Sequence, residues 1–352
     1  MKRRGLLKQL LLFFIVGFVL TSIYNSAVIR QVEQPPKEIQ TPTSVVPNVP
    51  ALTSLHRLPI NCQKIIEYDK DEIDRANAYM KVVQPVRWQS ADYINKTNDC
   101  VTFRKSMRYD AFPITNEEKN FPIAFSIITY KDIDQTEKLL RSIYRPHNFY
   151  CIHVDGSSAR DIHKAARAIA DCFGNVFIVS KTEDIIYNHM TRLKADLNCM
   201  SDLLSISEKW KYLMNLPHQQ FPLKTNLEIV KILKIYNGAN DIEGIQTLSR
   251  MVPNRFQFSH RYDNKTWMIY KRNKEFKLPY NASLVKGSAY GVFSRAFVQY
   301  VIKNKQAKNI LGSLEDVKSP DEYYWATLNH NKVLKAPGRF LGKNVYVVKS
   351  KE

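Results

Sequence analysis

Residues Phe121–Asp155, FPIAFSIITYKDIDQTEKLLRSIYRPHNFYCIHVD, decide the fold. Ile123–Thr129 is an apolar run of the kind found in strands buried on both faces. In the following segment, Gln135–Tyr144, the residues Leu139, Leu140 and Ile143 share one helical face, with Asp134 placed to cap it. Phe149–Val154 is a second apolar strand, and it ends on Asp155. Open α/β sheets bind ligands just beyond the carboxyl ends of their strands. Asp155 therefore stands where a nucleotide ribose or base would be held.

The alternation continues outward from that stretch. Asp161–Cys172 reads as a helix, Asn175–Ser180 as a strand, Met190–Ile206 as a helix and Trp210–Leu216 as a strand. Leu227–Leu233 reads as a helix capped by Thr225 or Asn226, with Glu228 at capping-box spacing. Strands and helices in this order predict an α/β fold, an open and mostly parallel sheet flanked by helices and built from right-handed crossovers. Upstream, Asp71–Val82 predicts a helix. Downstream, Asn254–Lys277 is compatible with a hairpin or with long loops, Ser288–Phe293 reads as a strand and Ser294–Lys303 as a helix. Ser319–Leu328, SPDEYYWATL, reads as a helix with Ser319 as N-cap and Pro320 in its first turn.

The N-terminus bears on the compartment. Lys2, Arg3, Arg4 and Lys8 precede Gln9–Tyr24, whose apolar core is unbroken from Leu10 to Leu20. A helix of about 20 apolar residues crosses a bilayer, and a positive flank keeps the N-terminus cytoplasmic. The expected organisation is a cytoplasmic tail at 1–8, a signal-anchor helix at 9–24, a Pro/Thr-rich stem at 25–60 and a luminal domain at 61–352. Cleavage near Asn25-Ser26-Ala27 is the rival outcome. Sequons at Asn95, Asn264 and Asn281 agree with a luminal body. So do five cysteines, of which at most four can pair. The chain carries 52 Lys and Arg against 33 Asp and Glu, a net charge of +19. These charges are spread from end to end, and no nucleic-acid-binding motif accompanies them.

Three features carry candidate chemistry. Glu322 lies in a first helical turn beside Asp321 and among Tyr323, Tyr324 and Trp325; a carboxylate there can take a proton from a sugar hydroxyl. The competing reading is that Asp321 and Glu322 only complement the helix dipole. Asp132-Ile133-Asp134 matches an Asp-x-Asp metal string, but it stands just before a helix and reads as capping. His153 reads as a packed strand residue, so no metal is expected. Gly-rich phosphate loops, GxSxG elbows and HExxH motifs are absent.

Taken together, FPIAFSIITYKD, LLRSIYRPHNFYCIHVD, NVFIVSKTEDIIYNHMTRLKADLNCM, WKYLMNLPHQQFPLKTNLEIVKIL, KGSAYGVFSR and SPDEYYWATL resemble the core 2 and I-branching β-1,6-N-acetylglucosaminyltransferases, a family that also contains protein xylosyltransferases. The resemblance spans roughly 120–330. It implies a GT-A-like, Rossmann-like fold in a single-pass type II Golgi enzyme, inverting and independent of metal or other cofactor. The implied donor is UDP-GlcNAc and the implied acceptor a 6-hydroxyl of a mucin-type O-glycan. Glu322 matches the family's base. Ile128, Thr129, Tyr130, Asp155 and Tyr187 match donor-site positions, and Glu243 and Arg255 fall near acceptor positions. The implied disulfides are Cys100–Cys172 and Cys151–Cys199, leaving Cys62 over. NLPHQQFP departs from the family pattern, with Gln220 where an acidic residue is usual, and the loop around Met251–Arg261 diverges. The family's further C-terminal segment, with basic residues for the diphosphate, has no counterpart before Glu352. Two alternatives stay open: a silent or truncated membrane protein that keeps nucleotide or glycan affinity, and a xylosyltransferase-type relative.

Overall fold

The computed structural model describes residues 60–82, 87–245, 250–263 and 265–342. The expected tail, anchor and stem (save Ile60) and the Asn264 sequon lie outside these residues. Among the described residues no helix is long and apolar enough to cross a membrane.

The chain divides into two compact units, Met1–Gln84 and Pro85–Glu352. In the first, Asn61 caps the helix Cys62–Ile66, and a second helix spans Lys70–Val82. Cys62 is a free, exposed thiol.

The second unit is organised on a five-stranded sheet. β1 (Ile123–Thr129), β2 (Phe149–Val154), β3 (Val176–Ile178) and β4 (Tyr212–Pro217) run parallel, while β7 (Val292–Ser294) runs antiparallel on the β4 edge. A separate hairpin pairs β5 (Phe258–Asp263) with β6 (Thr266–Lys271). The sheet order is β3-β2-β1-β4-β7. The chain thus builds outward from β1 through β2 to β3 and then crosses to the other side of β1. A crevice opens at such a reversal, beyond the strand ends. β1 and β2 pair from Ala124↔Phe149 to Thr129↔Val154, so both end level with each other at Tyr130 and Asp155.

Every residue of β1 is buried, because helices cover both sheet faces. Ile123, Phe125, Ile127, Tyr150, Ile152 and Val154 pack against the helices Ile133–Ile143, Arg160–Ala170 and Asn226–Tyr236. Ala124, Cys151 and Leu213 turn the other way, toward Leu193, Met200, Phe297 and Trp325. Each large aliphatic or aromatic side chain so buried contributes roughly 1.5–3 kcal/mol, and period-2 alternation assigns it to one face. Disulfides Cys100–Cys172 and Cys151–Cys199 are both formed. The second ties the middle of β2 to the helix Met190–Ile206.

Several boundaries differ from the expectation, each for a local reason. Asp132 caps the first crossover helix, its Oδ1 accepting from Gln135 N at 3.1 Å. Asp134 lies inside that helix and takes Tyr93 OH at 2.7 Å and Lys138 Nζ at 2.6 Å. Ser319 is not a side-chain cap: its φ is +54° and its hydroxyl donates to Asn188 Oδ1 at 2.7 Å. The strand expected at Ser288–Phe293 is only Val292–Ser294. Before it, the Asn215 amide donates to Ala289 O and accepts from Gly291 N, both at 2.9 Å, taking backbone groups that a ladder would need. The open choice at Asn254–Lys277 resolves as a short helix, Asn254–Gln257, leading into the β5–β6 hairpin.

Candidate active site

Two segments bring Glu322 to the carboxyl edge of the sheet. The helix Asp321–His330 starts beside it, entered through Pro320 and the left-handed Ser319, whose N–H donates to Asn188 O at 2.7 Å. That bond fastens the helix start to the loop running from β3 toward the helix Met190–Ile206. A cavity of ≈ 470 Å³ lies between them, and Tyr187, Arg192, Glu243, Lys286, Asp321 and Glu322 are among its lining residues.

The predicted site residues gather around this cavity to different degrees. Tyr187, Glu243 and Glu322 line it directly. Tyr187 is 85% exposed, a free aromatic face at the rim. Asp155 is 6% exposed and does not line the cavity. Its Oδ1 accepts from Ser157 N at 3.0 Å and from Ile185 N at 3.1 Å, and Ile185 is part of the cavity wall. Asp155 thus touches the cavity wall only through the Ile185 backbone, whereas Glu322 lines the cavity itself. Tyr130 is half-exposed beyond β1, its carbonyl accepting from Ser158 Oγ at 2.8 Å. Ile128 and Thr129 offer less: Ile128 O accepts from His218 N, and the Thr129 hydroxyl is bonded to Thr136 Oγ1 at 2.8 Å inside the core. Arg255 reaches in from the short helix Asn254–Gln257 and donates through Nη1 to Glu322 Oε2 at 2.7 Å.

Sequence alone does not point to Lys286, whose Nζ stands 2.8 Å from the same Oε2. Burial pushes the Glu322 carboxyl up, but the bonds from Lys286 and Arg255 outweigh it, and the group lies below the ordinary glutamate range. Glu322 is thus ionised, and among the described residues its Oε1 has no hydrogen-bond partner. Asp321 behaves oppositely. Burial pushes it up to about 6, against the attraction of Arg192. Two adjacent carboxyls are therefore driven apart by their surroundings, a pattern that assigns different tasks to neighbouring acids.

Beneath the cavity lies a buried polar network. Arg192 Nη1 donates to Asp196 Oδ2 at 2.7 Å; Asp196 also receives Ser126 Oγ at 3.0 Å and Asn215 Nδ2 at 2.9 Å. Arg192 Nη2 is buried without a partner among the described residues. The i,i+4 spacing of Arg192 and Asp196 on a helix was a legible signal of an ion pair. His153 Nε2 accepts from Glu183 N at 2.9 Å, so the ring is a packed strand residue as expected, and burial pushes its pKa down. Asp132, which also pairs with Arg87, and Asp134 are both committed, and the described residues hold no cluster of three metal-ligating side chains. Asn95 is exposed, but Thr97 of its sequon is buried and donates to Tyr93 O at 2.8 Å; Asn281 is exposed.

The sheet with its reversal beside β1, and a cleft lined by Arg192, Glu243, Lys286, Asp321 and Glu322, define an α/β protein with an open, mostly parallel sheet of the kind that takes ligands beyond its strand ends. The chain belongs to the Core-2/I-Branching enzyme family, whose model matches residues 123–346. It is 40% identical over 282 residues to a β-1,3-galactosyl-O-glycosyl-glycoprotein β-1,6-N-acetylglucosaminyltransferase of Bos taurus, covering 79% of this chain and 65% of the relative. The Homo sapiens protein of the same name is 40% identical over 292 residues, covering 82% and 67%. A Danio rerio relative, β-1,3-galactosyl-O-glycosyl-glycoprotein β-1,6-N-acetylglucosaminyltransferase 4, is 41% identical over 274 residues, covering 76% and 64%. The chain spans about two thirds of the length of these curated relatives. Among solved structures, a 4-diphosphocytidyl-2C-methyl-D-erythritol synthase from Anaerococcus prevotii aligns over 58% of this chain and 88% of its own at a TM-score of 0.29 and 10% identity, too distant to carry an argument.

Proposed function

We propose that the chain transfers N-acetylglucosamine from UDP-GlcNAc to a 6-hydroxyl of an O-linked glycan, with inversion at the anomeric carbon. The observation that carries this reading is the Glu322 carboxylate: ionised, held through Oε2 and open at Oε1, lining a cavity with Tyr187, Arg192 and Glu243. The acceptor oxygen attacks the anomeric carbon while Oε1 takes its proton, and the bond to the UDP oxygen breaks on the opposite face. Asp155 and the backbone after β1 suit the uridine, and the exposed Tyr187 ring offers a stacking face for it. Glu243 and Arg255 suit acceptor hydroxyls. We assign no metal, because both carboxylates of the Asp132-Ile133-Asp134 string that follows β1 serve the first crossover helix and its neighbours. The relatives' names support both the sugar and the acceptor class.

We further propose a Golgi location with the body in the lumen. Two formed disulfides fit an oxidising compartment, and the basic-then-apolar N-terminus fits a type II anchor.

The test is transfer by the full chain from UDP-GlcNAc to a β-1,3-galactosyl-O-glycan, with UDP-xylose and other UDP-sugars in parallel. Glu322→Gln is expected to lower kcat about 10²–10⁴-fold with nucleotide affinity kept. Wild-type chain that binds UDP but transfers no sugar overturns the enzyme reading in favour of a silent binder. Transfer of xylose alone overturns the donor assignment.

A further inference from the structure

We propose that Lys286 is a positioning residue for the base: with Arg255 it holds Oε2 of Glu322 and so presents Oε1 to the acceptor hydroxyl. This rests on the reading of Glu322 given above.

The backbone builds the Lys286 position from two sides. Its N–H donates to Ile245 O at 3.0 Å and its carbonyl accepts from Ile245 N at 2.7 Å. The next residue, Gly287, donates its N–H to Glu322 O at 2.6 Å. One short segment is therefore docked at once on the chain after Glu243 and on the first turn of the helix that carries the base. Gly287 is required for that approach, since a Cβ there would collide with Glu243 O and press on the Ala326 Cβ. With both neighbours fixed, the reach of the Lys286 ammonium to Oε2 is set by the fold rather than by a free surface side chain. Its side chain is only 18% exposed, against 27% for Glu322.

A single cation would neutralise the carboxylate. Two cations on the same oxygen, approaching from separate segments, also stop rotation of the carboxylate about its last bond. That rotation would exchange the engaged and the open oxygen, so fixing it keeps one oxygen aimed into the cavity. Positioning of this kind lowers the barrier by restricting the reacting groups to productive geometry. It carries a cost, because each cation stabilises the ionised form and weakens the base. The other charged or titratable groups facing Glu322 are Arg255 from the short helix before β5, Asp321 and Tyr323 from its own helix, and Arg192 and Glu243 across the cavity.

The experiment compares Lys286→Met and Lys286→Arg with wild type by kcat and KM across pH. Loss of the ammonium is expected to move the acidic limb of the kcat profile up by about one pH unit or more and to lower plateau kcat about tenfold or more, with acceptor KM little changed. Lys286→Arg is expected to restore most of both. If Lys286→Met does not fold, Lys286→Gln, which keeps a polar end without charge, takes its place. An unmoved limb with kcat within about twofold of wild type overturns the proposal. A second readout needs no turnover: the Glu322 carboxyl is titrated by ¹³C NMR, its signal assigned by loss in Glu322→Gln. A midpoint that does not rise in Lys286→Met overturns the proposal even if wild type transfers nothing, whereas absent transfer with a raised midpoint removes only the assigned function.

Discussion

Removing the Cys151–Cys199 bridge tests whether the frame behind the site is held as the fold implies. Both cysteines are fully buried, their Cα atoms are 5.6 Å apart, and they are separated by 48 residues. Loop-closure entropy for that length gives about 4 kcal/mol of stabilisation at room temperature. The Cys100–Cys172 bridge spans 72 residues, for which the same relation gives about 4.4 kcal/mol. Entropy alone thus makes the longer loop worth slightly more. Burial acts the other way: deleting two fully buried sulfurs in Cys151→Ala/Cys199→Ala leaves a void that the packed sheet–helix interface cannot fill, which adds to the loss. Cys100, by contrast, is partly exposed and its removal leaves room to relax. The Cys151/Cys199 double variant is therefore expected to be the less stable of the two, losing about 4 kcal/mol or more of unfolding free energy. Urea titration followed by tryptophan fluorescence reads this, since Trp210 and Trp325 are both fully buried. A loss below about 1 kcal/mol, or the reverse order of the two double variants, refutes the reasoning.

Asp321→Asn should change how stability depends on pH. The folded carboxyl is raised from 3.8 to about 6, so the native state binds the extra proton. Its contribution is therefore present at low pH and is lost as pH rises through about 6; over that interval wild type should lose up to roughly 3 kcal/mol, which the Asn variant does not lose, and thermal melts at pH 4 and pH 7 check the difference. Gly287→Ala should abolish transfer while leaving most of the fold, because the new methyl meets Glu243 O and displaces the segment from the base; activity at wild-type level with unchanged circular dichroism would contradict it. Thr225→Ala should cost about 1 kcal/mol, since the Thr225 hydroxyl accepts from Glu228 N while Glu228 Oε2 accepts from Thr225 N at 2.8 Å; denaturant midpoints read this.

Much of the sheet is written in local pattern. β1, β2 and the helix Met190–Ile206 fall on their expected residues, because strands buried on both faces and a long amphipathic helix each announce their own period. The capping box at Thr225 and Glu228 was legible for the same reason: it is a contact between residues three apart. Errors come where distant groups intervene. Asn215 from β4 takes the backbone of residues 289–291 and shortens the expected strand there. Asn188 takes the Ser319 hydroxyl that was expected to cap a helix. The hairpin at Phe258–Lys271 stayed open in the sequence because its turn, Asp263 to Thr266, lacks the Asn-Gly or Asp-Gly signal of a tight reversal.

The site divides along the same line. Residue types and spacing determine that an aspartate follows β2 and that an acidic pair opens a Pro-entered helix; what those residues do is implied only by the resemblance to the family. Which oxygen of Glu322 is engaged, that Lys286 and Arg255 converge on it, and that Asp321 alone is held near neutral pH are decided only by tertiary structure. The reason is physical: ionisation and hydrogen-bond direction depend on burial and on charges within a few ångströms. In this chain those neighbours come from positions 192, 255 and 286, brought together by the crossing of the chain over β1.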